Sequence, residues 1–295
     1  MAGLTIALPA FNSERTLRAA IASLIGQSYD AWELLVMDDG STDSTAEIAH
    51  SFRDPRIQVI ADGVHRGLPA QLNRAVEMAS GKYLARMDAD DIAYPSRLQK
   101  QIEFLESNPE VDLLGTWMAV FRSDGTLLGT RRFPARHSEI CARPWAGFPM
   151  AHPTWMGRIE WFRQNRYAED ATRMEDRELL LRTWTKSCFA VLPEVLLAYR
   201  EDSLSLRKIF FARKNTCKMA IRYAVREEKF LHPALLVLGQ CARAAVETVA
   251  LPTGLTYKLL RSRAQAPTRE ERRAWEALLA GLGRAGDLQA ARRPA

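Results

Sequence analysis

Cysteine is scarce: Cys141, Cys188, Cys217 and Cys241 are the only four in 295 residues, and no two form a CxxC pair. That scarcity excludes a zinc cluster and a secreted disulfide scaffold, and it points to a reducing compartment. Ahead of Leu4 there is no basic segment and no long apolar run, so no signal peptide is expected and the expected location is cytoplasmic. The most apolar C-terminal stretch, 230–260, is interrupted by Arg243, Glu247 and Lys258. No uncharged run there approaches the roughly 18 residues of a spanning helix. A GxxxxGK[ST] loop is missing, as is a GxGxxG turn after the first strand, so phosphate must be bound by other means. Zinc-finger, RRM and KH signatures are also missing, and no nucleic-acid partner is expected.

What is present is enough for a sizeable core, since 47% of the residues are hydrophobic and 26% charged. Charge is unevenly spread. The first 200 residues hold 23 basic and 26 acidic side chains, and the last 95 hold 18 and 9. A tail of net charge +9 can face nucleic acid, an anionic membrane surface or water alone.

Short β-rich runs alternate with helical periodicity. Residues 4–8, 32–37 and 56–60 read as strands, and the runs KYLARM and VDLLGTWMAVF continue the series. Between them, Asn12 and Ser13 supply helix-start chemistry, Ser41, Thr42 and Asp43 cap a helix over 44–52, and further helices span 69–78 and 95–108. A Pro, Trp and Gly punctuated loop covers 133–153; a helix over 177–185 and the run FAVLPEVLLAY complete the first unit. This order predicts an α/β fold, a mostly parallel sheet with helices on both faces and a ligand crevice beyond the strands' carboxyl ends. Residues 1–203 form the expected main domain, and 204–295 a basic helical extension broken at Pro233, Pro252 and Pro267 with a frayed end over 284–295. The extension can lie in a membrane interface with Lys258, Arg261 and Arg263 toward anionic headgroups, or pack on the main domain or on a second copy.

Acidic residues gather at the predicted crevice. Asp38 and Asp39 end the second strand, where a turn before Gly40 is the competing explanation. Asp88, Asp90 and Asp91 crowd three carboxylates into four residues, which is costly unless a cation or donors offset the repulsion. Mg²⁺ or Mn²⁺ accepts one or two such carboxylates and leaves its other positions to phosphate and water. Glu175 and Asp176 open an apolar helix, where favourable dipole placement alone also accounts for them. His152, near Trp145 and Trp155, is a candidate for ligand contact, as is Trp155; Trp117, Trp161 and Trp184 read as core.

In order and spacing, PAFNSE, MDDGSTDST, GLPAQLNRAVEMASGKYLARMDADDIAYPSRLQKQ and MEDRELLLR resemble the successive signatures of family-two GT-A glycosyltransferases over about the first 200 residues. The resemblance implies a GT-A fold and an inverting transfer of a sugar from a nucleotide-diphosphate donor to a glycan or lipid-linked acceptor, in cell-envelope polysaccharide or glycolipid synthesis. It puts Pro9, Phe11 and Glu14 around the nucleotide, Asp39 on the base with Asp38 in support, Asp88 on the ribose and Asp90 on a divalent cation. It makes Asp176 the general base, with Glu175 orienting, Asp91 shaping the turn, and Gly67 and Asn73 lining the donor site.

The sequence departs from the family pattern in two places. His65 stands where Asn is common, and EDSLS after Arg200 lacks a histidine that can serve the metal or diphosphate, leaving Glu201 or Asp202 as substitutes. The alternatives are a nucleotidyltransferase-like enzyme and a non-catalytic nucleotide-sugar-binding or membrane scaffold module. Homo-oligomerisation, and peripheral contact with the cytoplasmic face of an inner membrane, stay open.

Overall fold

A computed structural model describes residues 3–171, 173–202, 206–250 and 264–284. Four parallel strands come first: β1 (Leu4–Ala10), β2 (Trp32–Asp38), β3 (Ile57–Ala61) and β4 (Tyr83–Arg86). They alternate with α1 (Leu17–Ile25), α2 (Thr45–Ser51) and α3 (Leu68–Met78). Both sheet faces are covered, so these strands are apolar almost throughout. Leu4, Ile6 and Leu8 point to one side with Leu17, Ile21, Leu24, Leu34 and Val36. Ala7, Leu35 and Met37 point to the other, against Leu72, Ala75 and Val76 of α3. Each such side chain contributes roughly 1.5–3 kcal/mol on burial.

β5 (Ile92–Ala93), α4 (Arg97–Ser107), β6 (Leu113–Phe121) and β7 (Leu127–Arg131) follow. After a stretch holding only α5 (His137–Ile140) and two 3-10 turns come β8 (Met156–Arg158), α6 (Ile159–Gln164), α7 (Glu175–Thr183) and β9 (Phe189–Arg200). One sheet runs β3-β2-β1-β4-β8-β6-β9-β5, with β7 on β6. The longest pairing in its second half, β6 with β9, is parallel, while β8, β7 and β5 join antiparallel. The fold is the expected mixed α/β, mostly parallel sheet.

Close approach fixes Gly81, since a Cβ there would lie 2.5 Å from the Thr5 nitrogen. Leu4–Ala10 and Trp32–Asp38 pair along their full length, with Ala10 opposite Asp38. The chain therefore leaves β1, β2 and β4 on one side of the sheet, and the acidic turns collect there.

The chain continues as α8 (Leu206–Glu227), α9 (Leu231–Ala250) and α10 (Arg269–Arg284). Pro233 lies in the first turn of α9, where its missing N–H costs nothing, so it opens that helix and does not break it. Trp275, Leu278 and Leu282 of α10 pack on Ile92, Phe121 and Ala198, and Thr130 and Gln265 exchange two backbone hydrogen bonds. Met219 and Tyr223 of α8 pack on Met174 and Leu181. Lys258, Arg261, Arg263, Pro252 and the segment 285–295 lie outside the described residues. Among those described, no helix is long and apolar enough to cross a membrane.

Candidate active site

A cavity of about 660 Å³ opens beyond the carboxyl ends of β1 and β4. Its lining includes Pro9, Phe11, Glu14, Arg15, Asp43, Asp88, Asp90, Ser123, Arg200 and Asp202. Pro9, Phe11, Glu14, Asp88, Asp90 and Asp202, expected from the sequence, are thus joined by Arg15, Asp43, Ser123 and Arg200, which were not. Phe11 is 47% exposed and tilts over the His65 ring at 4.7 Å, leaving an open aromatic face at the mouth.

Asn12 and Ser13 do not cap α1, which starts only at Leu17. They join two loops: Asn12 Oδ1 accepts from the Thr42 amide at 2.9 Å, and the Ser13 amide donates to Thr45 Oγ1 at 2.7 Å. Glu14 accepts from the Ser44 amide at 3.2 Å, and Asp43 accepts from the Glu14 amide at 3.1 Å. These crossed bonds hold the floor under Phe11.

Asp39 does not reach the cavity. Its carboxylate accepts from the Arg66 and Gly67 amides and from Gln71 Nε2 at 2.7–3.2 Å, with His65 Nδ1 at 2.9 Å. Those donors pin the start of α3, where Gly67 at φ 89° makes the turn. Asp38 is buried and accepts from the Ser41 amide at 3.3 Å, with its Oδ1 unpartnered. Asn73 likewise spends its amide on the backbone of Tyr167, at 2.9 Å each way.

Carboxylate oxygens of Asp88, Asp90 and Asp91 lie within 4.8 Å of one another. Asp91 is fully buried; one oxygen accepts from the Arg200 amide at 3.2 Å and the other has no partner. Burial, then the charges of Asp88 and Asp90, hold its carboxyl well above the usual range. Asp90 faces the cavity, and desolvation in the crevice followed by the Asp88 charge pushes it up to about 6. An all-oxygen set with an orphaned buried oxygen suits a hard divalent cation.

Three arginines balance this triad. Arg86 is 3% exposed and forms a two-pronged pair with Asp88. Burial pulls its guanidinium down, but Asp88, Tyr167, Asp91 and Glu175 outweigh that and hold it above the ordinary value. Arg97, fully buried, donates to the carbonyls of Arg86 at 2.7 Å and Pro153 at 3.1 Å. Arg200 donates to the Asp90 carbonyl at 2.9 Å and to Ser123 Oγ at 3.1 Å. The short β5–β9 pairing brings Arg200 there, because it sets Ile92 against Ala198. In the sequence the only trace of Arg86 and Arg200 is a cation inside or ending an apolar run.

Of the two substitutes considered for the absent histidine, Asp202 lines the cavity and accepts from the Ser123 amide and hydroxyl at 2.6 Å. Glu201 is turned away onto Arg131 at 2.6 Å.

Glu175 and Asp176 form the first turn of α7, where carboxylates meet the helix N-terminus. Glu175 is buried, with Oε2 unpartnered, and burial followed by Asp176 raises its carboxyl. Glu175 also feels Arg86 and Asp88, and Tyr167 feels Arg86, Glu175 and Asp176. The two acidic motifs, 87 residues apart between Asp88 and Glu175, therefore share one electrostatic neighbourhood.

His152 is 8% exposed, and its Nε2 lies 3.0 Å from Tyr167 Oη. Burial, then Arg86, holds the imidazole well below its ordinary value, so it is neutral. Trp155 has no exposed surface and stacks edge-on against His152 at 4.5 Å. The indole supports His152 from the core.

A family model described as Glycosyl transferase family 2 matches residues 5–166. EpsE of Bacillus subtilis (strain 168) is 36% identical over 216 residues, covering 70% of this chain and 76% of that protein. An Escherichia coli protein named UDP-Glc:alpha-D-GlcNAc-diphosphoundecaprenol beta-1,3-glucosyltransferase WfgD is 37% identical over 105 residues, 36% of this chain and 42% of that one. Among solved structures, S. aureus TarS 1–349 in complex with UDP-GlcNAc superposes with a TM-score of 0.60 at 17% identity, covering 99% of this chain and 90% of that one. The mannosyltransferase PcManGT from Pyrobaculum calidifontis, in complex with GDP-Man and Mn²⁺, gives 0.56 at 16% identity, covering 98% and 85%.

Proposed function

The chain belongs to glycosyl transferase family 2, and from that premise we propose that it is an inverting glycosyltransferase using a nucleotide-diphosphate sugar, with a glycan or lipid-linked hydroxyl as acceptor. The observation that carries this reading is the acidic triad Asp88, Asp90 and Asp91 at the cavity, with buried Arg86 bonded to Asp88 and under the charge of Glu175, the neighbour of Asp176. The nucleotide lies over Pro9, Phe11 and Glu14, with Asp88 toward the ribose; Asp38 and Asp39 hold the loops behind it. TarS with UDP-GlcNAc and PcManGT with GDP-Man support a nucleotide sugar as donor. The name of WfgD supports a lipid-linked acceptor.

Asp176 accepts the proton of the acceptor hydroxyl as its oxygen forms a bond to the anomeric carbon from one face. The bond to the diphosphate breaks on the other face, its electron pair leaves with the nucleoside diphosphate, and configuration inverts. Arg200 and Arg15 lie in the cavity wall, where they meet the growing negative charge. A divalent cation held by Asp90 beside Asp88 would supply Lewis-acid stabilisation to the same leaving group. Glu175, buried beside Asp176, orients the start of α7.

The test is product analysis with UDP-, GDP- and dTDP-sugars in Mg²⁺ or Mn²⁺. Release of nucleoside diphosphate with a new glycosidic bond of inverted configuration is expected. Transfer of a nucleotidyl or phosphoryl group would replace this reading with the nucleotidyltransferase alternative, and binding without turnover across a broad acceptor panel would replace it with the scaffold alternative.

A further inference from the structure

The hairpin of α8 and α9 carries an outward face left uncovered among the described residues. Leu231, Leu235 and Leu238, spaced along one side of α9, are 58–69% exposed, and Phe230 just before them is 61% exposed. On α8, Ile221 and Val225 are 56% and 69% exposed. At 3.6 residues per turn they share an arc of about 100° with Lys214, Lys218 and Arg222, all three exposed. Those three cations make no ion pair among the described residues, and the segment 206–250 holds nine basic and three acidic side chains.

The inner sides of both helices are spent on the body of the protein. Tyr223 of α8 and His232 of α9 meet the same Trp145 ring, at 5.8 and 5.0 Å, and Asn215 donates to the Arg173 carbonyl at 2.8 Å. On α8, Ile221 and Val225 lie opposite the buried Met219 and Tyr223, and on α9, Leu231, Leu235 and Leu238 lie opposite the less exposed Pro233, Leu236, Val237 and Gln240. Apolar side chains exposed this far and ringed by cations mark an interaction site. A two-fold contact with a second copy through this face would bring two basic faces together. An anionic bilayer accepts leucine below the headgroups and lysine among them.

We propose that the outer face of the α8–α9 hairpin docks into the interface of an anionic phospholipid bilayer, with Leu231, Leu235 and Leu238 below the headgroups and Lys214, Lys218 and Arg222 among them. The inner face of the same hairpin packs on α7 through Leu181, so docking sets the height of Asp176 above the lipid. That last consequence rests on the role proposed for Asp176; the docking does not.

Sedimentation of the full chain, without donor, is measured with vesicles of phosphatidylcholine alone and of phosphatidylcholine with one-third phosphatidylglycerol. The protein should pellet with the anionic vesicles and stay in solution with the neutral ones. K214Q/K218Q/R222Q should weaken partitioning on the order of 100-fold, at about fivefold per cation, and L235D/L238D should abolish it. Both variants change exposed positions and should keep the wild-type melting curve and nucleotide affinity. Failure of the wild type to pellet, or unchanged pelleting of both variants, overturns the proposal. A dimer in light scattering that L235D/L238D dissociates, with no vesicle binding, overturns it in favour of a second copy. Because vesicle binding is read without turnover, its failure is distinct from failure of the proposed activity.

Discussion

Replacing Asp90 with Asn should make the metal-free protein more stable near neutral pH. Asp90 sits between Asp88 and Asp91, and its carboxyl rises from the ordinary 3.8 to about 6, chiefly by desolvation and then by the Asp88 charge. A carboxyl that holds its proton more tightly folded than unfolded makes ionisation a cost to the fold. That cost is absent below pH 3.8, grows as pH rises toward 6 and is complete above it. A shift of about 2 units corresponds to about 3 kcal/mol. Asp90 is open to the water of the cavity, and screening reduces the expected gain to about 1–2 kcal/mol. Urea unfolding with EDTA should show D90N more stable by this amount at pH 7.5 and equal to wild type at pH 4. Mn²⁺ should then stabilise the wild type and leave D90N unchanged. Equal or lower stability of D90N at pH 7.5 would refute the picture of three crowded carboxylates waiting for a cation.

Three further substitutions probe other parts of the site. D176N should lower turnover by about 10²–10⁴ with nucleotide affinity unchanged, and single-turnover kinetics with near-normal rates would remove Asp176 from the base role. R86M breaks a partly buried pair and strands Asp88, so urea midpoints should report a loss of about 3 kcal/mol, against under 1 if Arg86 is a bystander. F11A removes the exposed ring at the cavity mouth, and calorimetry should find nucleoside diphosphate bound about threefold to tenfold more weakly; unchanged affinity would move the base elsewhere.

The alternation of elements was legible in the sequence because covering a strand on both faces leaves it apolar throughout, as in LTIAL and WELLVM, and because turns announce themselves through Gly, Asp and Ser. The acidic candidates were legible for the same reason, since MDADD and MEDRELLLR are charged interruptions beside apolar segments. Residue type alone did not tell which carboxylates face ligand. Asp39 stands in a signature stretch yet spends its oxygens on the start of α3, a partner 27 residues away that no local pattern reveals. Trp155 is aromatic near the site but wholly buried, because one side of its turn faces the core.

Local order therefore determined the strands, the helices and the membership of the two acidic motifs, all of which depend on neighbours within a few residues. Tertiary structure decided their company. Arg200 and Ser123 reach the cavity, and Arg86 reaches Asp88 behind it, only because β4, β6 and β9 end on the same side of one sheet, and the short β5–β9 pairing folds the turn after β4 onto the tip of β9. Charges interact across space and not along the chain, so the balance of three arginines against three aspartates exists only once the sheet is assembled.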